Sequence, residues 1–295
     1  MANAWQYYIL KGVSYLICQL PYSWLLGAGR VLGRFYYRLA AKQRERALKQ
    51  IKECLGYSSQ EAEAIIRRSF IHIAQAFIEI FYTPVLTKEN IHRYIEIENK
   101  HYLDSVTQTG KGVAVLTGHI GNWEWLGAGL SLYGYKVASI VKRQPNDQYM
   151  RILTEIRKMV GIECYIRGTS ELVGAVKALK NGRMMGFFSD QDGGYDGVFV
   201  EFLGKMSSTH AGLAVLSQRL GVPILPAFII RKPRGGHRII IGPPVELELS
   251  GETNADIPYI VAETTKIVEA VIRQYPEEWL WFQKRWNTQW EGEKA

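Results

Sequence analysis

The chain has 295 residues, 47% of them hydrophobic, and a formal net charge of +8 from 36 Lys+Arg against 28 Asp+Glu. A chain of this length buries a large core, which fits one α/β domain with an extra N-terminal piece. The basic balance suits anionic lipid, nucleic acid or an acidic carrier. No arginine-rich run interleaved with exposed aromatics and no zinc-finger or RNA-binding signature occurs, so nucleic acid is disfavoured. Three widely spaced cysteines, Cys18, Cys54 and Cys164, point to a reducing compartment and to no metal site.

Residues 5–41 are the most apolar long stretch. Gly12 to Gly29 carries no charged residue, just short of the roughly 20 apolar residues of a spanning helix. Pro21, Gly27 and Gly29 interrupt it, and Arg30, Arg34, Arg38, Lys42, Arg44 and Arg46 follow. Aromatic residues gather here and in the last twenty residues, as at a membrane–water interface. No small-x-small cleavage site ends the stretch. Residues 1–45 therefore read as a membrane-associating helical segment, inserted or interfacial, with its basic cluster on an anionic surface. The alternative is a helical hairpin packed on the domain formed by residues 46–295. Residues 59–82 form an amphipathic helix, with Ile66, Phe70, Ile73, Phe77, Ile80 and Phe81 at helical spacing as core positions and Pro84 closing it.

From residue 112 onward strands and helices alternate. Strands are predicted at 112–117, 136–141, 162–166, 184–188, 224–230 and 238–241, and helices at 123–133, 146–160, 170–181, 210–220 and 257–274. This alternation predicts an α/β fold with a mostly parallel or mixed central sheet covered by helices. Ligands on such sheets bind at the carboxyl ends of the strands. At the first of those ends stands Thr117-Gly118-His119-Ile120-Gly121-Asn122-Trp123-Glu124-Trp125. Asn122 is a suitable N-cap, and Glu124 falls in the first helical turn, where its charge complements the helix dipole. The five-residue spacing predicts that Glu124 holds one ring nitrogen of His119 while the other faces a cleft. A histidine held so is a general base toward a hydroxyl. The alternative is a loop histidine satisfied by a nearby carboxylate.

Three further strand ends carry polar clusters. Lys142-Arg143 ends one and Arg167-Gly168 the next. Ser189-Asp190-Gln191-Asp192-Gly193 ends a third. Convergence of Arg143, Arg167, Asp190 and Asp192 on His119 would make a partly cationic cleft suited to phosphate or carboxylate; singly, each is also a solvated charge or a turn-forming acid. No His-Glu-x-x-His, Gly-x-Ser-x-Gly or Cys pair at ligand spacing occurs, and Gly27-Ala28-Gly29 follows no strand.

Taken in order, these blocks resemble the bacterial lipid A biosynthesis acyltransferases of the late lauroyl/myristoyl type. His119 to Glu124 matches the family's His-x-x-x-x-Asp/Glu motif in its Gly-His-x-Gly-Asn-Trp-Glu form. Ser189 to Asp192 with Gly197 to Gly204 resembles its Asp-Gln block and Phe-rich segment. Thr209 to Phe228 is similar to the helix and strand that follow, and Trp279 to Trp286 to its aromatic-basic C-terminal signature. Gln283 stands where the family often has histidine and Glu201 where proline is common; both are read as lying away from the chemistry.

The resemblance implies a glycerolipid-acyltransferase-like fold and a catalytic pair of His119 and Glu124. Arg143, Arg167, Asp190 and Asp192 would contact substrate. It implies transfer of a fatty acyl chain from acyl carrier protein to a hydroxyl of a lipid A precursor, at the cytoplasmic face of the bacterial inner membrane, without a cofactor or metal. The alternative it leaves is an acyl-coenzyme A-dependent enzyme acting on a glycerolipid or glycosylated phospholipid of the phosphatidylinositol mannoside type.

Overall fold

Fully apolar strands and amphipathic helices in alternation fold as a sheet covered on both faces. A computed structural model describes residues 4–290; the outermost residues of both predicted segments lie outside that range. The strands are β1 (Ile95–Glu98), β2 (Val113–Thr117), β3 (Val137–Val141), β4 (Glu163–Ile166), β5 (Met184–Phe188), β6 (Val198–Phe202), β7 (Lys205–Thr209), β8 (Ile224–Arg231) and β9 (His237–Ile241). Seven of them form one sheet in the order β1-β9-β8-β2-β5-β3-β4. Pairing is parallel throughout except between β8 and β9, so β9 and β1 run opposite to the other five. The hairpin β6–β7 stands apart. Short β1 and this hairpin are the strands that periodicity did not separate from loop.

The helices are α1 (Ala4–Cys18), α2 (Tyr22–Leu39), α3 (Ala41–Leu55), α4 (Ser59–Tyr82), α5 (Lys100–Thr107), α6 (Trp123–Leu132), α7 (Asp147–Met159), α8 (Glu171–Lys180), α9 (Gly212–Leu220) and α10 (Thr253–Gln274). Local chemistry sets several ends. Ser58 and Glu61 form a reciprocal capping box that starts α4, and a 3₁₀ turn containing Pro84 ends it. β2 is buried on both faces. Its Ala114 and Leu116 join a core with α3, α4, α8, α9 and α10, and its Val113 and Val115 join a second core with α5 and α6.

Of the inserted and interfacial alternatives for the N-terminal segment, the inserted one finds no support in residues 4–45. Among the described residues no helix is long and apolar enough to cross a membrane. Pro21 breaks the apolar stretch into α1 and α2, and Gly29, with Gly33 one turn on, lets α2 cross α4 closely. A Cβ on Gly29 would lie 2.5 Å from Gln75 Cγ, and one on Gly33 2.5 Å from Ile71 Cα.

Candidate active site

The site forms where β2, β5 and β3 end. After Thr117 the chain turns through Gly118 and Gly121. A Cβ on Gly118 would press on Asp190 at 3.3 Å; Gly121 has φ +60, and a Cβ there would strike the Ile229 carbonyl oxygen at 2.1 Å. The turn is strapped to the C-terminal aromatic segment: the Gly121 N–H donates to the Glu278 carbonyl (2.9 Å) and the Leu280 N–H to the His119 carbonyl (3.2 Å). Asn122 caps α6 through its oxygen, which accepts from the Trp125 N–H at 3.1 Å. Its amide nitrogen donates to buried Glu79 at 2.9 Å.

Glu79 gathers a buried cluster behind this turn. It accepts two hydrogen bonds from Arg231 (2.6 and 2.8 Å), one from Tyr22 of α2 (2.6 Å) and lies 3.1 Å from His237 Nε2. Burial opposes its charge, but His237 and Arg231 outweigh burial and hold the carboxyl well below its ordinary range. The N-terminal helices are thereby wired to the back of the site.

His119 does not hold Glu124. Its Nδ1 faces Asp190 Oδ1 at 2.9 Å, and its backbone N–H donates to Asp190 Oδ2 at 2.8 Å. Asp190 is fully buried and also accepts from Trp279 Nε1 (2.9 Å) and Gln283 Nε2 (3.2 Å). Burial pushes its carboxyl up, yet the charge and hydrogen bonds of His119, with the Trp279 donor, hold it down at about 2. An ionised Asp190 accepts the Nδ1 proton, which leaves Nε2 with its lone pair toward the cavity. Trp123 and Phe188 flank the imidazole, with centroids at 4.9 and 4.6 Å. Gln191 Nε2 stands 3.4 Å from His119 Nε2.

Glu124 lines the same cavity as His119 but is claimed by Arg157 of α7, whose guanidinium donates twice, at 2.6 and 2.8 Å. A half-buried carboxylate gains more from a permanently charged, two-pronged donor than from an imidazole. Asp190, one strand over in the sheet, reaches the ring instead. The five-residue motif could not reveal this, because the partners are 71 positions apart. Arg157 was legible only as a charge one turn beyond Leu153 on an otherwise apolar helix face.

The remaining predicted residues divide. Arg167 lines the cavity, 3.5 Å from His210 Nε2; burial and the Arg167 charge lower the His210 pKa. Arg143 does not line it: its side chain is exposed and pairs with Asp147 one turn on. Asp192 turns away, accepting from Thr288 Oγ1 at 2.8 Å and bridging Thr209, so it shapes the loop and not the cavity wall. Gln283, expected to lie apart, donates to both the backbone and the carboxylate of Asp190. Buried Arg285 donates to the Gln191 carbonyl (3.0 Å) and to Thr209 Oγ1 (2.5 Å). The C-terminal aromatic-basic segment thus braces Asp190 and Gln191 from behind without lining the cavity. Among the described residues no three His, Cys, Asp or Glu side chains gather as a metal site.

The cavity has a volume of about 950 Å³. His119, Glu124, Arg157, Arg167, Gln191 and His210 form its polar part, and its depth is apolar, with Val115, Leu126, Leu130, Val137, Ile162 and Met184. Phe77 of α4, predicted as core, is 50% exposed and lines it as well. Such an enclosure suits a molecule with one reactive polar end and a long apolar body.

A family model described as "Bacterial lipid A biosynthesis acyltransferase" matches residues 1–288. The chain is 28% identical over 295 residues to the lipid A biosynthesis palmitoleoyltransferase of Escherichia coli K12, covering 99% of this chain and 94% of that protein. It is 25% identical to the lipid A biosynthesis lauroyltransferase of the same organism, covering 98% and 93%. To the phosphatidylinositol mannoside acyltransferase of Mycolicibacterium smegmatis it is 26% identical over 75% of this chain and 72% of that protein.

Proposed function

Because the chain belongs to the bacterial lipid A biosynthesis acyltransferase family, we propose that it moves a fatty acyl chain from acyl carrier protein to a hydroxyl of a lipid A precursor. The observation that carries this reading is the His119 imidazole, held by buried Asp190 on one side and open to a largely apolar cavity on the other.

His119 Nε2 removes the acceptor hydroxyl proton as the oxygen attacks the thioester carbonyl carbon. Asp190 stabilises the imidazolium that forms. The tetrahedral oxyanion collapses, the carbon–sulfur bond breaks, and the proton on Nε2 passes to the departing thiolate. The Gln191 amide, 3.4 Å from Nε2, donates to the developing oxyanion in this reading. Glu124, fixed by Arg157, accepts a hydrogen bond from the acceptor. Arg167 and His210 meet its phosphate or that of the donor's pantetheine arm. The net charge of +8 attracts an acidic carrier.

Helices α1 and α2 are placed in this reading on the cytoplasmic face of the inner membrane. Trp24 is 68% and Phe35 57% exposed, with Trp5, Tyr8, Leu16, Val31 and Leu39 also bare, while Arg30, Arg34 and Arg38 are exposed on α2. Exposed aromatics beside cations suit an anionic lipid interface.

The similarity to a mannoside acyltransferase favours a second reading, a coenzyme A thioester donor with a glycosylated phospholipid acceptor. Purified protein offered both thioesters and both acceptors separates the two. Under the first reading only the carrier-protein thioester and the lipid A precursor support turnover, and His119→Ala abolishes it. Turnover by His119→Ala at the wild-type rate would reject the mechanism.

A further inference from the structure

Between the sheet and α6 the molecule leaves room where side chains ordinarily interlock. One glycine faces it. Gly186, in the middle of β5, is in register with Val115 of β2 and Ser139 of β3, so a side chain there would join theirs on the α6 face. A Cβ built on Gly186 meets no heavy atom within 4 Å. On α6, by contrast, a Cβ at Gly127 would crowd Ile162 Cδ1 at 3.2 Å. Both glycines line the cavity. Interiors are close-packed, and central strands favour β-branched residues over glycine. A glycine facing empty space in a central strand marks a place where something else approaches the backbone.

The depth of this arm can be read along β5. Phe188, against the His119 ring at 4.6 Å, Gly186 and Met184 follow one another on the same face. Buried Met184, Leu130 and Ile162 close the far end. From Phe188 to Met184 is four residues of strand, or about 13 Å. Carbon–carbon bonds of about 1.5 Å at about 111° advance ~1.25 Å each, so an extended chain of about ten carbons reaches from the imidazole level to the closed end. Gly186 stands midway.

We propose that Gly186 is a specificity-determining residue for acyl-chain length: its missing side chain keeps the inner half of the arm open. This rests on reading the cavity as the acyl site. Any side chain at position 186 projects into the path of the chain and shortens it, whereas a smaller residue at 184 lengthens it.

The test uses the full-length protein, Gly186→Val and Met184→Ala, each checked for folding by circular dichroism. Transfer to the lipid A precursor is measured with saturated carrier-protein thioesters from hexanoyl to palmitoyl. Binding of the free fatty acids of the same lengths is measured by displacement of a fluorescent fatty acid. Gly186→Val should keep the short chains and lose at least about a hundredfold on the longest chain the wild type uses, as expected for expelling the roughly five methylene groups of the inner half. Met184→Ala should shift the optimum to longer chains. If the wild type transfers none of the thioesters but Gly186→Val still shortens the bound fatty acids, the donor assignment fails and Gly186 keeps its role. If the wild type transfers them and the folded variants show unchanged length profiles in both assays, the role of Gly186 is overturned and the proposed function stands. Should Gly186→Val not fold, Gly186→Ala with Met184→Ala must give shifts in opposite directions, and no shift in either overturns the proposal.

Discussion

Replacing Asp190 by asparagine isolates the central electrostatic feature of the site while preserving its shape. Asp190 is fully buried and accepts hydrogen bonds from the His119 ring (2.9 Å), the His119 backbone N–H (2.8 Å), the Trp279 indole (2.9 Å) and the Gln283 amide (3.2 Å). An asparagine there offers one acceptor oxygen and one donor nitrogen. If the nitrogen faces the ring, it donates to Nδ1 and drives the proton to Nε2, so no lone pair meets the acceptor hydroxyl. If it faces the backbone, it opposes three donors, the His119 N–H, the Trp279 indole and the Gln283 amide. The same swap behind a histidine base in a serine-protease triad lowers turnover by about 10⁴-fold, and a comparable fall in kcat with a modest change in KM is expected here.

Stability should fall as well. A carboxyl held at about 2 instead of 3.8 contributes about 2 kcal/mol at neutral pH. Because the folded pKa is depressed, that contribution is fully present above pH ~4 and lost as pH falls through about 2. Urea unfolding of wild type and Asp190→Asn should therefore differ at pH 7 and converge in acid. A variant with kcat within about tenfold of wild type would refute the assignment of Asp190 as the residue that orients His119.

Other perturbations separate framework from chemistry. Glu79→Ala strands a buried Arg231 guanidinium and frees Asn122; a loss of about 3–5 kcal/mol is expected from the urea midpoint. Arg143→Ala should leave rate and stability within about 0.5 kcal/mol of wild type, since the side chain is exposed and one turn from its partner. Arg167→Ala, by contrast, should raise the apparent KM for the phosphorylated acceptor in steady-state kinetics; equal effects of the two would mean that cavity lining does not identify the binding arginine. Trp24→Ser with Phe35→Ser should weaken binding to vesicles containing anionic lipid in a flotation assay and leave the folded spectrum unchanged, because both residues are exposed and neither lines the cavity.

The elements were largely legible in the amino-acid order because their signals are local. The apolar run before Gly118, the Ser58–Glu61 box and the spacing of Ile66, Phe70 and Ile73 each report on residues within a few positions of one another, where backbone geometry alone decides. The same locality placed His119 at a strand end, where parallel sheets bind ligands. The apolar N-terminus was ambiguous for the converse reason. Hydropathy measures how readily a segment leaves water but not what covers it, and Gly29 and Gly33 acquire their role only where α4 crosses them.

What the order could not supply was the pairing of charges. His119 with Asp190, Glu124 with Arg157 and Gln283 with Asp190 join positions 33 to 93 residues apart. Which acid meets which cation depends on strand order, helix placement and burial together. Once those are fixed, the bidentate guanidinium takes Glu124, and the imidazole is left to the one buried carboxylate at the end of the neighbouring strand.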